Sequence, residues 1–230
     1  MVNKIAVITG AGSGLGASLA KKYSNDGYHV CLLGRTEDKL ARTAKALPNE
    51  SYSIFPVDVS SKKEVASVFA NIKESLGSVN VLVNNAGVGV FDLAENITED
   101  AVHQMIDINL KGTIFCTQEV LADMKESNSG SILNIVSTAG LEGKETESVY
   151  CASKFGTRGF HESLLVELKD TDIHVFGAYM GGMATEFWDG ILDESITAGL
   201  MDPEDIADII YYNASLRKNL NVEQVVIKNH

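Results

Sequence analysis

The sequence is poor in several things at once. Among 230 residues there are three prolines, three cysteines and one tryptophan, and 19 Lys and Arg stand against 31 Asp and Glu, a formal net charge of −12. Cys31, Cys116 and Cys151 are odd in number, far apart and without a C-x-x-C pair, which argues against a disulfide framework or a zinc site and fits a reducing compartment. His29, His103, His161, His174 and His230 show no metal-ligand spacing, so no metal is expected. An acidic chain without a basic stretch offers nothing to a phosphate backbone or an anionic bilayer, so neither nucleic acid nor membrane is an expected partner. No apolar run approaches the length of a membrane span, and the short apolar run after Lys4 is not followed by a small-residue cleavage site; a cytoplasmic location is expected. Pro48, Pro56 and Pro203 mark no linker, there is no internal repeat, and 45% hydrophobic content suffices for one core, so residues 1–230 read as one domain.

What is present is an alternation. Short β-rich apolar runs (KIAVIT, YHVCLL, YSIFPV, VNVLVN, GSILNIVS, IHVFGAYM, EQVVIK) are separated by longer stretches with apolar residues at helical spacing, such as LGASLAKKYSNDG, KKEVASVFANIKESLG and the run from Val149 to Leu168. Strands alternating with helices imply an α/β architecture: a single-domain, Rossmann-like doubly wound sheet of about seven mostly parallel strands flanked by helices.

TGAGSGLG occupies the first strand-to-helix turn. Glycines there let the backbone turn sharply and approach a pyrophosphate, while the helix N-terminus supplies N–H donors. Gly10, Gly14 and Gly16 form G-x-x-x-G-x-G, whereas Gly12, Gly14 and Ala17 fit G-x-G-x-x-A, so the glycines alone leave the register open. At the end of the second strand, where NAD-binding proteins carry an acid about 20 residues beyond the glycines, this chain has Gly34 and then Arg35. A guanidinium with no carboxylate beside it suits a 2′-phosphate, which favours NADP over NAD. The other reading makes Arg35 a solvated charge before a helix capped by Thr36, with Glu37 and Asp38 in its first turn. A small shift would bring Glu37 to the ribose.

IVSTAG ends a strand at Ser137, and VYCASKFG opens a helix carrying Tyr150 and Lys154, four apart and therefore on one face. A lysine ammonium near a phenol stabilises the phenolate, which brings a weak acid closer to working pH. Any single Y-x-x-x-K is usually an ordinary amphipathic helix; the combination with the glycine turn is not.

Taken together, Thr9 to Gly16, the pair Asp58-Val59 after the third strand, N-N-A-G at Asn84 to Gly87, Asn109 in INLKG, Ser137, Tyr150 and Lys154 resemble the short-chain dehydrogenase/reductase family, in the family's order and over almost the whole chain. The resemblance implies that Tyr150 protonates a carbonyl oxygen as hydride arrives from a nicotinamide, that Ser137 hydrogen-bonds that oxygen, that Lys154 lowers the phenol and holds the nicotinamide ribose, and that Asn109 holds a water linking the lysine to solvent. It implies a coenzyme seat made of Gly10, Ser13, Gly14, Leu15, Gly16, Arg35, Asp58, Val59, Asn85, Ala86, Gly87, Tyr150, Lys154, Gly181, Met183 and Thr185. The usual proline after the sixth strand is replaced by Met180, an apolar and flexible wall. Residues 186–202, with Phe187, Trp188, Ile191, Leu192 and Leu200, correspond to the segment that covers the substrate in the family, and their apolar character suggests a small to medium hydrophobic carbonyl compound. Relatives pair as homodimers or homotetramers, for which the apolar faces of 101–126 and 149–168 are suited. The expected activity is hydride transfer between NADP(H) and a carbonyl or secondary alcohol, the alternatives being NAD(H) in the same chemistry or a non-catalytic, NADP(H)-binding regulatory protein.

Overall fold

Residues along each strand are sorted by parity, and that sorting builds the molecule. In the computed structural model, which describes residues 4–230, the strands are β1 (Ile5–Thr9), β2 (His29–Gly34), β3 (Tyr52–Pro56), β4 (Val81–Asn84), β5 (Gly130–Ile135), β6 (Ile173–Met180) and β7 (Gln224–Ile227). Ala6 and Ile8, Val30 and Leu32, Val81 and Val83, Leu133 and Ile135, and Phe176 and Ala178 enter one hydrophobic cluster; the alternate residues Val7, Cys31, Leu82, Ile132 and Val175 enter another on the opposite face. Both faces are apolar because both are covered, which is why these strands read as continuous hydrophobic runs.

The first face is covered by α1 (Gly14–Asn25), α2 (Glu37–Lys45) and α8 (Pro203–Ala214), through Leu15, Leu19, Leu40, Ile206 and Ile210. The second is covered by α3 (Lys62–Ser75), α5 (Thr113–Ser127) and α6 (Ser148–Glu167), through Val65, Phe69, Ile72, Cys116, Val120 and Leu164. Each such side chain contributes about 1.5–3 kcal/mol by leaving water. A shorter helix, α4 (Glu99–Met105), leads through a π-helical segment (Ile106–Gly112) into α5, and a four-residue helix, α7 (Glu194–Thr197), lies between β6 and α8.

All strand pairings are parallel, in the order β3-β2-β1-β4-β5-β6-β7. The order reverses between β1 and β4, so the connections leaving these two strands run to opposite faces and open a crevice at their carboxyl ends. Thr36 stands at the N-cap of α2, but its hydroxyl makes no capping bond; the expected cap is corrected to a backbone start, with Glu37 and Asp38 favouring the helix dipole.

Candidate active site

The crevice is stitched at its base. Thr9 Oγ1 accepts from the backbone N–H groups of Asn85 (2.9 Å) and Ala86 (3.0 Å), and the Asn85 side-chain amide donates to the carbonyls of Thr9 (2.9 Å) and Gly10 (3.2 Å). These bonds hold the glycine turn against the end of β4. In the turn Gly14 has φ +51°, and a Cβ there would lie 2.9 Å from the Thr185 methyl, while a Cβ on Gly16 would overlap the carbonyl oxygen of Gly10. Ser13 is the N-cap of α1, makes no side-chain capping bond, and is followed by a first turn without acidic residues, so the unpartnered N–H groups there suit an anion.

From this turn a cleft of about 650 Å³ runs to the C-terminal ends of β5 and β6. It brings together Gly10, Ser13, Gly14, Leu15, Arg35, Asn85, Ala86, Gly87, Ser137, Tyr150, Lys154, Gly181, Met183 and Thr185, all singled out from the sequence. Met180 lines it too, as an apolar wall at the end of β6.

Ser137 follows β5 and opens a 3-10 turn, its Oγ accepting from the Ala139 N–H at 3.1 Å. The residue that closes that turn, Gly140, allows α6 to approach: a Cβ at 140 would stand 2.7 Å from Val136 Cγ1 and 2.9 Å from the Lys154 carbonyl. Close approach of α6 is what brings the Tyr150 phenol near Ser137, both on the wall of the cleft. Burial is the larger influence and pushes the Tyr150 phenol above the ordinary tyrosine value; the nearby Ser137 hydroxyl acts in the opposite sense. Lys154 is buried one turn along, its Nζ donating to the Ile135 carbonyl at 3.2 Å and lying 5.8 Å from the centre of the Tyr150 ring. With no carboxylate partner, burial pulls the Lys154 ammonium down to about 8.

Four residues of the expected catalytic set and coenzyme seat do not line the cleft. Gly16 is a packing position under the glycine turn. Asp58 binds the N–H (2.9 Å) and hydroxyl (2.7 Å) of Ser60 in the loop before α3, and Val59 is buried in the core with Gly112 against it. Asn109 lies in the π-helical segment with every polar side-chain atom committed: Oδ1 accepts from the Val88 N–H (2.8 Å), and Nδ2 donates to the Val88 carbonyl (2.9 Å) and Ser153 Oγ (3.0 Å). Its carbonyl accepts from the hydroxyls of Thr113 (3.0 Å) and Thr157 (3.1 Å).

Other cleft residues went unread in the sequence. Val90 and Gln104 enter from the segments after β4, Lys144 and Glu147 from the loop before α6, and Lys39 from α2, while Phe91 packs on the cleft residues Tyr150, Phe187 and Trp188. Phe91 stacks on Trp188 (centroids 5.6 Å, planes 28° apart) and meets Tyr150 edge to face (5.4 Å, 82°), with Phe187 6.1 Å from Tyr150. Glu147, half-buried near the phenol, is raised by burial, with Lys144 opposing. The lone signals in the sequence were an isolated phenylalanine and a handful of charges, which carry no pattern until loops from three strands converge.

A family model for short chain dehydrogenases matches residues 4–195. An uncharacterized oxidoreductase of Staphylococcus saprophyticus is 36% identical over 232 residues, covering 98% of this chain and 97% of its own. Among solved structures, an alcohol dehydrogenase from the archaeon Thermococcus sibiricus complexed with 5-hydroxy-NADP superposes with a TM-score of 0.89 at 28% identity, covering 98% of this chain and 96% of that one. The closed form of a serine dehydrogenase complexed with NADP+ gives the same score and identity over 96% and 93%.

Proposed function

Since the chain belongs to the short-chain dehydrogenase family of oxidoreductases, we propose that it transfers hydride between NADP(H) and a small to medium hydrophobic carbonyl compound or the corresponding secondary alcohol. The observation that carries this reading is the convergence of Ser137, Tyr150 and the buried Lys154 on one wall of a dinucleotide-sized cleft.

The residues present fit the coenzyme. Gly14 leaves no room for a side chain against Thr185, so backbone lies where a pyrophosphate would approach, and the free start of α1 faces it. Arg35 lines the far end of the cleft and Glu37 is not among its lining residues, which supports a 2′-phosphate over a bare ribose. Two similar structures carry NADP or a derivative of it. Lys154 would hold the nicotinamide ribose, Gly181, Met183 and Thr185 its amide end, and the bound coenzyme supplies or accepts the hydride.

The chain's own residues then manage the proton. Ser137 donates to the substrate oxygen and fixes its position; Tyr150 gives that oxygen its proton in reduction and takes it back in oxidation. Lys154 stands near enough for its charge to favour the phenolate once a ligand closes the cleft against water. Asn109 acts as a positioning residue, since it holds Val88 and thereby the wall at Gly87, where a Cβ would meet Asn109 Oδ1 at 3.4 Å and Lys154 Nζ at 3.6 Å. Residues 186–202 form the substrate cover: their two ends are tied by the bridge between Met183 and Met201 and by the Ala184 N–H to Met201 carbonyl bond (2.9 Å), and they lay Phe187 and Trp188 beside Tyr150 and Phe91. Pairing of copies would use the faces of 101–126 and 149–168, on the second of which Phe155 and Val166 are exposed. Among the described residues no helix is long and apolar enough to cross a membrane.

The reading is tested by following NADPH and NADH oxidation with a panel of aldehydes, ketones and diketones beside Tyr150→Phe. Turnover with NADPH that the variant loses supports it.

A further inference from the structure

Lys39 and Glu186 face each other across the cleft. Lys39 lies in the first turns of α2, four residues after Arg35, and its Cβ packs over Gly12 of the glycine turn; Glu186 is the first residue of the 3-10 turn that begins the cover. Lys39 Nζ and Glu186 Oε2 are 2.6 Å apart, both side chains are about two-fifths exposed, and both line the cleft with Arg35. Arg35 has no ion-pair partner among the described residues, so the wall that would meet the coenzyme's 2′-phosphate holds one free cation and one cation engaged with the cover.

We propose that Lys39 is a second reader of the 2′-phosphate, and that Glu186 competes for it, so that a 2′-phosphorylated coenzyme releases this latch on the cover while a coenzyme without that phosphate leaves it closed. The inference rests on the NADP(H) reading above. A 2′-phosphate carries close to two negative charges, and Arg35 alone leaves one unmatched. The Lys39 ammonium sits on a four-carbon stem and re-aims without backbone movement, whereas a planar guanidinium reads by fixed geometry. The ion pair with Glu186 is exposed and therefore weak. Charge-assisted bonds to a phosphate are stronger than such a pair, and the Glu186 carboxylate repels the same phosphate. The exchange links two events: whatever the phosphate gains from Lys39 is reduced by the cost of parting it from Glu186, and by reciprocity an opened cover binds the phosphorylated coenzyme more tightly.

The test is calorimetric titration of the wild type, Lys39→Met and Glu186→Gln with NADPH, NADH, and the fragments 2′,5′-ADP and 5′-AMP. Glu186→Gln should tighten NADPH and 2′,5′-ADP about three- to fivefold and leave NADH and 5′-AMP within about twofold. Lys39→Met should weaken the two 2′-phosphorylated ligands about tenfold and spare the others. A merely structural strap would move NADPH and NADH together, and that parallel shift, or an unchanged NADPH-to-NADH ratio in Lys39→Met, overturns the inference while the wild-type preference for NADPH stands. If the wild type itself binds NADH as tightly as NADPH and 2′,5′-ADP no better than 5′-AMP, the coenzyme reading fails and the inference falls with it.

Discussion

The side-chain amide of Asn109 grips both backbone groups of Val88, accepting from its N–H at 2.8 Å and donating to its carbonyl at 2.9 Å. This one side chain ties the helix that covers the sheet to the loop that forms the cleft wall after β4. The π-helical segment makes the grip possible, because its wider turn changes which residue faces the loop.

Replacing Asn109 with Ala leaves the Val88 N–H and carbonyl and the Ser153 hydroxyl short of partners. The expected cost is about 3 kcal/mol, read as a lowered denaturation midpoint, since each buried polar group left unpaired costs about 1–3 kcal/mol. A fall in kcat larger than any rise in KM is expected with it, because the wall beside Lys154 is displaced. A variant as stable and active as the wild type contradicts the positioning role.

Lys154 makes a prediction with a definite sign. Its folded value of about 8 lies below the unfolded 10.5, so the unfolded chain binds the extra proton between those limits. The burden on stability is fully present below about pH 8 and is relieved as pH rises towards 10.5. Lys154→Met removes a burden of up to roughly 3 kcal/mol at pH 7, offset by the lost bond to the Ile135 carbonyl. The variant should be inactive, more stable at pH 7, and without the part of the pH 8–10.5 rise due to this lysine. Thermal unfolding of both proteins across that range measures the difference, and a variant less stable at pH 7 would be the contrary result.

Gly14 and Gly16 should fail differently when replaced by Ala. At Gly14 the backbone is left-handed, which costs an L-residue about 1–2 kcal/mol, and the new methyl meets the movable Thr185 side chain. The protein should fold and bind coenzyme poorly. At Gly16 the obstacle is the Gly10 carbonyl in the turn itself, which cannot give way, and destabilisation of about 3 kcal/mol or more is expected. Denaturation and coenzyme titration on the two variants separate a binding position from a packing one.

Phe91 stacks on Trp188 and meets Tyr150 edge to face, and so backs two rings of the cleft's apolar end. Phe91→Ala removes the support of Trp188 and loosens the apolar wall it forms, so kcat/KM should fall about tenfold for an aryl or long alkyl aldehyde and change little for a two-carbon aldehyde. Equal losses on both would detach Phe91 from substrate choice.

The strands were legible because burial on both faces leaves unbroken runs such as IAVIT and ILNIV, and the core of the site because Gly10 to Gly16, Ser137, Tyr150 and Lys154 sit at strand ends or one helical turn apart. The run 101–126, read as one helical face, contains a π segment: an i to i+5 hydrogen bond has no residue signature, and only the commitment of Asn109 to Val88 shows why it is there. Gly140 in STAG carried no mark of its role, since the contact it permits is with the Lys154 carbonyl on another element. Asp58 and Val59, expected at the adenine, follow β3 in the loop before α3, where Asp58 binds Ser60 and Val59 is buried against Gly112. Lys39 and Glu186 lie 147 residues apart, and nothing in either neighbourhood announces the other.

The most direct test of the account is the initial rate of NADPH and NADH oxidation with aldehydes, ketones and diketones, measured on the wild type and on Tyr150→Phe, with coenzyme binding to both followed by Trp188 fluorescence. The account predicts turnover that favours NADPH, and a variant that still binds NADPH but loses about a hundredfold or more in rate. Turnover undiminished in Tyr150→Phe would contradict it.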